Sequence, residues 1–127
     1  MKEIYSFFII LIMITFSSCK ESDPVPNKEK KVKYEITGNF TGKFLIIYTD
    51  ITGGNKTLLN VSVPWSQEVT YAESVAAIGI GGQASVAGSV GQTVLVKIFV
   101  DGVEEKSSPA SAGSLGELVL PSITYSF

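Results

Sequence analysis

Few side chains of this 127-residue sequence can do covalent or acid–base chemistry. There is no histidine, and Cys19 is the only cysteine, so Ser-His pairs, Cys-His pairs and histidine-based metal sites are excluded. Glu104 and Glu105 are adjacent, and neighbouring residues of a strand point to opposite faces, so these carboxylates cannot converge on one substrate. We therefore predict that the protein is not an enzyme and uses no cofactor or metal.

Two further segments lack the residues that a ligand site would need. Asp50 precedes the turn Thr52-Gly53-Gly54, but no run of alternating oxygen ligands surrounds it as in a calcium-binding loop. Gly79-Ile80-Gly81-Gly82 is rich in glycine, yet neither a lysine nor a helix start follows it as in a phosphate-binding loop. We expect neither segment to hold an ion.

The chemistry that Cys19 supports is acylation. Met1-Lys2-Glu3 precede an apolar run from Ile4 to Phe16, and Ser17-Ser18 stand directly before the cysteine. This run is shorter than the ~20 residues of a spanning helix and is typical of a cleaved export signal. It resembles the signal of bacterial lipoproteins, although Phe16 stands where that signal usually has leucine. The resemblance implies cleavage after residue 18 and lipidation of Cys19; the alternative is an ordinary cleaved signal.

A mature lipoprotein of this kind has three acyl chains on its cysteine, as the resemblance implies. Because burial is worth ~0.8 kcal/mol per CH₂, three chains would hold the protein at a membrane without a spanning helix. Residues 19–30 are polar and include Pro24 and Pro26, so we expect a flexible tether of at most ~35 Å. We predict a lipid-anchored protein of the bacterial outer membrane. It would be periplasmic or, since an acidic tether resembles the surface-export signal of some Gram-negative bacteria, surface-exposed.

The charge balance bears on two classes of partner. After removal of residues 1–18 the chain keeps nine lysines, eleven carboxylates and no arginine, which argues against a nucleic-acid partner. The lysines between residues 28 and 33 could form a patch for lipid phosphates, but Glu29 and Glu35 interrupt them. A solvated tether that runs into a strand is the better interpretation.

Residues 31–127 are enough for one domain with a single core. Their apolar residues alternate with polar ones, which is the period of a half-buried strand. The alternating sets are Val32, Tyr34 and Ile36; Leu59, Val61 and Val63; and Val94, Val96, Ile98 and Val100. The segment from Phe44 to Tyr48 is apolar on both faces, which indicates a more central strand.

Turn residues separate these segments at regular intervals. They are Gly53-Gly54-Asn55, Gly81-Gly82, Gly88 with Gly91, and Asp101-Gly102. Asp-Gly between Val100 and Val103 is the strongest hairpin signal, because both residues tolerate the positive φ of a two-residue turn. About seven short strands at this spacing predict an all-β fold, an immunoglobulin-like antiparallel β-sandwich after the signal and tether.

Two aromatic residues are candidates for a ligand or partner surface. With one cysteine the domain has no disulfide, so the core alone must hold the sandwich, and we predict that Trp65 packs in that core. The alternative for Trp65 is a platform on which a sugar or lipid stacks. Phe99 is expected with Lys97 on the face opposite to the apolar residues of its strand, and is the second candidate.

Four short motifs follow one another along the predicted domain. They are Tyr34-Glu35-Ile36-Thr37-Gly38, Ile46-Ile47-Tyr48-Thr49-Asp50 before Gly53-Gly54, Val61-Ser62-Val63-Pro64-Trp65-Ser66, and Lys97-Ile98-Phe99-Val100-Asp101-Gly102. In the order and spacing of these motifs, the chain resembles the small mycobacterial membrane proteins of the MmpS family over about residues 33 to 120. The resemblance implies an exported β-sandwich, tethered at its N-terminus, that accompanies a transporter. In this chain the family's spanning helix is replaced by the lipoprotein-like signal, and the family's late cysteine pair is absent.

Two classes of function follow from these observations. The first is a non-catalytic binding or interaction module of the cell envelope, held to the membrane by its N-terminal lipid. The second is an accessory subunit of a resistance-nodulation-division transporter that exports lipids or siderophores, as the resemblance implies. A transporter assembly would co-purify in the second case, and a glycan, a surface protein or nothing in the first.

Overall fold

The computed structural model describes residues 28–127, which form eight β-strands and no helix. The strands are β1 (Lys30–Gly38), β2 (Lys43–Thr49), β3 (Asn55–Val61), β4 (Trp65–Tyr71), β5 (Ala77–Val86), β6 (Thr93–Val100), β7 (Val103–Ser111) and β8 (Val119–Ser126). The all-β prediction is confirmed, with one strand more than the seven expected. The proposed signal, Cys19 and most of the proposed tether lie outside the described residues.

The strands pair into two antiparallel four-stranded sheets that pack face to face. Sheet A has the order β4-β1-β6-β7, and sheet B has the order β3-β2-β5-β8. The inner faces of both sheets supply one hydrophobic core, which confirms the β-sandwich. Each strand runs opposite to the one before it in sequence, so successive connections alternate between the two ends of the sandwich.

The two ends have different loops. The N-terminal pole contains residues 50–54, 72–76 and 101–102 together with the start of β1 and the end of β8. The far pole contains residues 39–42, 62–64, 87–92 and 112–118. Four connections therefore meet at the pole that is opposite to the start of β1.

The alternation predicted for β1 and β6 is confirmed. Val32, Tyr34 and Ile36 are at most 1% exposed, and Val96 and Ile98 are fully buried. These two strands are neighbours in the middle of sheet A, so their inner residues form the centre of the core. Their outer residues remain half-exposed because no further layer covers sheet A.

β2 is a central strand of sheet B, as predicted, but only one of its faces is buried. Phe44 and Ile46 are fully buried, whereas Ile47 on the opposite face is 40% exposed. The apolar character of the segment therefore does not reflect burial on both sides. Its outer residues belong to an uncovered face of sheet B.

The face assignment predicted for β3 is wrong at Leu59. Leu58 packs on the core and Leu59 is 66% exposed, although Leu59 was expected to point inward with Val61. The cause is a β-bulge, because Leu58 and Val61 pair with Ile46 and Phe44, so three steps along β3 match two along β2. Asn60 takes a φ of 56° inside this bulge, a conformation that asparagine tolerates better than most residues.

The predicted turns have mixed outcomes. Asp101 and Gly102 have φ values of 49° and 82° and join Val100 to Val103 in a tight hairpin of the I′ kind, as predicted. Gly81-Gly82 is no turn: both glycines lie inside β5, where Gly82 pairs with Ile46. A Cβ on Gly82 would lie 2.1 Å from the Leu45 carbonyl oxygen, so its role is to let two strands approach closely.

A chain of hydroxyl groups links the two sheets inside the core. The Tyr71 hydroxyl of β4 donates to the backbone oxygen of Thr49 in β2, and the Tyr34 hydroxyl of β1 lies 2.6 Å from that of Tyr71. Since Tyr71 gives its proton to Thr49, Tyr34 donates to Tyr71. Burial raises the pKa of Tyr71 to about 12, and burial together with the hydrogen bond to Tyr71 raises the pKa of Tyr34 further.

Candidate functional site

Phe99 lies on the outer face of sheet A, in a groove near the N-terminal pole. The groove has a volume of about 360 Å³ and is bounded by β1, β4 and the β6–β7 turn. Four of its nine lining residues are charged: Lys31, Lys33, Glu68 and Asp101. Phe99 is therefore at the surface, on the face predicted for it.

The ring of Phe99 is covered by lysines of its own sheet. The Lys33 ammonium lies 4.5 Å from the ring centroid, and that of Lys97 lies 5.9 Å away. Each of these lysines also contacts a carboxylate, Lys33 with Glu35 at 3.2 Å and Lys97 with Glu104 at 3.7 Å. Both lysines thus already have a carboxylate and an aromatic partner on this face, and a ligand that stacked on Phe99 would first have to displace Lys33.

Trp65 lies on the inner face of sheet A, opposite Ile36 of β1. Its ring is half-buried and packs against the core, 6.0 Å from the ring of Tyr48, which is in turn 5.3 Å from that of Tyr34. The side chain is only partly buried because β4 is an edge strand. Trp65 and Phe99 lie on opposite faces of one sheet, so the structure does not bring the two candidates together.

The other carboxylates of the described residues lack a metal-binding arrangement. Within residues 28–127, no three histidine, cysteine, aspartate or glutamate side chains cluster as a metal site would require. Asp50 instead folds its own turn: its Oδ1 accepts from the backbone N–H groups of Thr52 at 2.8 Å and Gly54 at 3.1 Å. The hydrogen bonds from Thr52 lower the pKa of this carboxyl below its ordinary value.

The outer face of sheet B contains a trough that sequence analysis missed. This glycine trough is about 770 Å³ in volume, and Gly79 and Gly81 of β5 form its floor. Ile47 of β2 lies on one side, and Ser122 and Thr124 of β8 lie on the other. No charged side chain lines it.

Gly81 and Gly82 are adjacent in β5 but have different roles. Gly82 needs its positive φ of 154° and its missing Cβ for the fold. The three atoms nearest to a Cβ on Gly81 would belong to Ser122, at the ordinary contact distances of 3.5 to 3.6 Å, and the φ of Gly81 is not positive. Glycine weakens a strand by roughly 0.5–1 kcal/mol relative to alanine, yet neither a close contact nor a positive φ requires glycine at position 81, which lies where the β5–β8 register shifts.

The two sheets differ sharply in charge. The four strands of sheet A contain nine charged residues, and those of sheet B contain two, Lys43 and Lys56, with no carboxylate. This difference was present in the sequence as two long stretches with few charges. It could be interpreted only once the pairing of β2, β3, β5 and β8 was known, because the four strands are not contiguous.

The described residues also bear on membrane association. Between residues 28 and 127 no helix exists that is long and apolar enough to cross a membrane.

Comparison with known proteins gives one result. A search of curated proteins found no match to the chain. The profile of the family described as Mycobacterium membrane protein matches residues 1–113, which is most of the chain. The protein therefore belongs to the Mycobacterium membrane protein family, the MmpS-like family that its motifs resemble.

Proposed function

We propose that this protein is a non-catalytic binding module of the cell envelope, anchored through a lipid on Cys19. Its family membership supports a small envelope-associated membrane protein. The lipid anchor is inferred from the Ser17-Ser18-Cys19 sequence and the apolar run before it. An outer-membrane location, in the periplasm or at the cell surface, follows from that signal type.

The observation that favours binding is the glycine trough. A strand that tolerates a side chain at position 81 but has none is most simply explained by a ligand or partner that occupies the space. Ile47 and the hydroxyls of Ser122 and Thr124 would contact an uncharged group. By contrast, the groove at Phe99 is occupied by the lysines that surround it.

Native mass spectrometry of the full-length, membrane-extracted protein tests this function. We expect the wild-type protein to retain a non-covalent species that is lost in Gly81→Val, because the valine fills the trough. Ser85→Val is a matched control, since residue 85 is an exposed position of the same strand outside the trough. The same set of bound species on wild type and Gly81→Val would contradict a binding role for the trough.

The anchor is tested on the same material. The intact mass should correspond to a chain that begins at Cys19 and is acylated there, and Cys19→Ala should release the protein from the membrane fraction. An unmodified N-terminus at any other residue would rule out the lipid anchor and leave the binding role open.

A second candidate function is that of an accessory subunit of a resistance-nodulation-division transporter for lipids or siderophores. The family relationship favours it. Affinity purification of the anchored protein should then recover such a transporter in a fixed ratio. Genes for an efflux transporter next to the gene of this protein would support the same function.

A further inference from the structure

The far pole exposes apolar side chains at the tips of two loops. Val90, in the loop of residues 87–92, is 69% exposed, and Leu115, in the loop of residues 112–118, is 83% exposed. Val86 and Val119, at the adjoining ends of β5 and β8, are 52% and 70% exposed. Single exposed apolar residues are common in proteins, but here four of them occur on one pair of loops and the strand ends that adjoin it.

These two loops are bound to each other by backbone hydrogen bonds. The Gly88 N–H donates to the Gly116 oxygen at 2.9 Å, and the Ala112 N–H donates to the Gln92 oxygen at 2.7 Å. The Gly91 N–H in turn donates to the Ala112 oxygen at 3.1 Å. The loops that expose Val90 and Leu115 are therefore one connected unit.

Two side chains fix the loops further. The Gln92 Oε1 accepts from the backbone N–H groups of Ser89 at 2.9 Å and Thr41 at 3.1 Å, so it joins the loop of residues 39–42 to the unit. The Glu117 carboxylate accepts from the Leu115 N–H at 2.8 Å. Because little loop freedom remains to be lost on binding, the exposed side chains are preorganised for a partner.

The loops of the far pole are poor in charge. They contain one charged residue, Glu117, whose carboxylate accepts from Leu115, and the only further charge given to this pole by a described contact is the Lys43 ammonium at the start of β2, which donates to Ser62. The loops of the N-terminal pole contain three carboxylates, Asp50, Glu73 and Asp101. Interface cores are depleted in charged residues, so the far pole matches an interface core and the N-terminal pole does not.

The position of the chain start decides which partner can reach this surface. The 27 residues outside the structure lead into Lys28, at the N-terminal pole. β1 has nine residues and spans roughly 30 Å at 3.3 Å per residue, so the far pole is the end most distant from any N-terminal anchor. The bilayer that holds the N-terminus is therefore poorly placed to contact the far pole, whereas a protein located farther from that bilayer is well placed to do so.

We propose that the far pole is a docking site for a folded partner protein with an uncharged, apolar contact surface, into which Leu115 and Val90 insert. This inference rests on the proposed role as a binding module and adds a second contact surface to the glycine trough. Affinity comes from apolar burial on loops that are already ordered.

Site-specific photo-crosslinking in the full-length, membrane-anchored protein tests this proposal. A photoreactive residue is placed at Val90 or Leu115, and at Ile51 and Val103 of the N-terminal pole as controls of similar exposure, 64% and 58%. A further probe at Ile47 reports on the glycine trough. We expect both far-pole probes to capture the same protein through one mapped apolar segment, and the two controls to capture none.

The captured protein is then purified, and its affinity for the full-length protein is measured. Leu115→Asp should weaken binding at least about tenfold, because it places a charge in an apolar contact. Val103→Asp should leave the affinity unchanged. Both variants change exposed side chains, so their thermal midpoints should stay close to that of the wild type.

The other outcomes overturn the proposal. Adducts of Leu115 with lipid would indicate a bilayer contact, and adducts with a second copy of the chain would indicate self-association. A partner captured only from Ile47 would leave the binding module intact and move its docking site to the trough. No adduct from any probe, including Ile47, would count against both the docking site and the binding role.

Discussion

The inner and outer sides of sheet B are built from the same strands under different constraints. On the inner side, Ile46, Ile80 and Leu120 are at most 2% exposed, and Gly82 has no room for a Cβ. On the outer side, one residue away, Gly81 has room for a side chain and lacks one. Packing therefore determines the inner residues, whereas the outer residues are free to be selected for binding.

Sheet A shows that an outer face need not be a binding surface. Two of its lysines, Lys33 and Lys97, pair with carboxylates, and the same two lysines cover its one large aromatic residue, Phe99. A ligand that bound to this face would have to displace these lysine contacts and replace them with contacts of its own. The uncharged face of sheet B has no comparable contacts to lose.

The largest effect is expected from a side chain on the inner side of the sheet, at Gly82. Gly82→Val forces a Cβ to within 2.1 Å of the Leu45 oxygen at a positive φ, so strain and overpacking together should cost roughly 2–6 kcal/mol. That is a large part of the ~5–15 kcal/mol that stabilises a domain. Chemical denaturation should show a midpoint far below that of the wild type; a midpoint close to wild type would contradict the close approach of β5 and β2.

The second-largest loss of stability is expected at Trp65. Phe99 is its matched comparison, because both are half-buried aromatic residues and they lie on opposite faces of sheet A. Trp65→Ala removes a ring that packs on Tyr48 and the core, and should lower the free energy of unfolding by about 3 kcal/mol. Phe99→Ala removes only the contacts with the two lysines and should cost about 1 kcal/mol. Equal costs in thermal or urea unfolding would show that Trp65 is not a core residue.

Much of this inner side could be predicted from the sequence, since alternation fixed the inward residues of β1 and β6 and Asp101-Gly102 fixed a hairpin. Leu59 was misassigned because a bulge shifts the face of a strand without any change in composition. The glycines of β5 were taken for a turn because glycine serves turns and close strand contacts alike. The trough and the far pole depend on strands distant in sequence, so they required the pairing of the sheets.

A smaller effect is expected from the hydroxyl chain between the sheets. Tyr71→Phe leaves the Thr49 oxygen and the Tyr34 hydroxyl without a partner in the core, which should cost roughly 1–3 kcal/mol. Tyr34→Phe removes only the hydrogen bond between Tyr34 and Tyr71 and leaves the one from Tyr71 to Thr49 intact, so it should cost less. Equilibrium urea denaturation at neutral pH measures both, and a larger loss for Tyr34→Phe would contradict the assigned direction of donation.

The same hydroxyls predict a pH dependence. Both tyrosines are neutral when folded below their raised pKa values, whereas an unfolded tyrosine loses its proton near pH 10. The folded state then binds more protons than the unfolded state, so the free energy of unfolding should fall as the pH rises from about 10 to about 12. In the double variant Tyr34→Phe/Tyr71→Phe this alkaline decline should be weaker, and an unchanged decline would assign it to other groups.

The smallest effect on stability is expected on the outer side of sheet B, at Gly81. Gly81→Val should leave the free energy of unfolding unchanged or raise it by up to about 1 kcal/mol, because valine favours strands and its Cβ is at an ordinary contact distance from Ser122. The same change should abolish any binding that uses the trough, so stability and binding would move independently. Gly82→Val, at the adjacent position, is the matched comparison, because it should strongly destabilise the protein whereas Gly81→Val should not. If Gly81→Val instead unfolds the protein, the fold requires glycine at position 81, and this residue is then no evidence for a binding site in the trough.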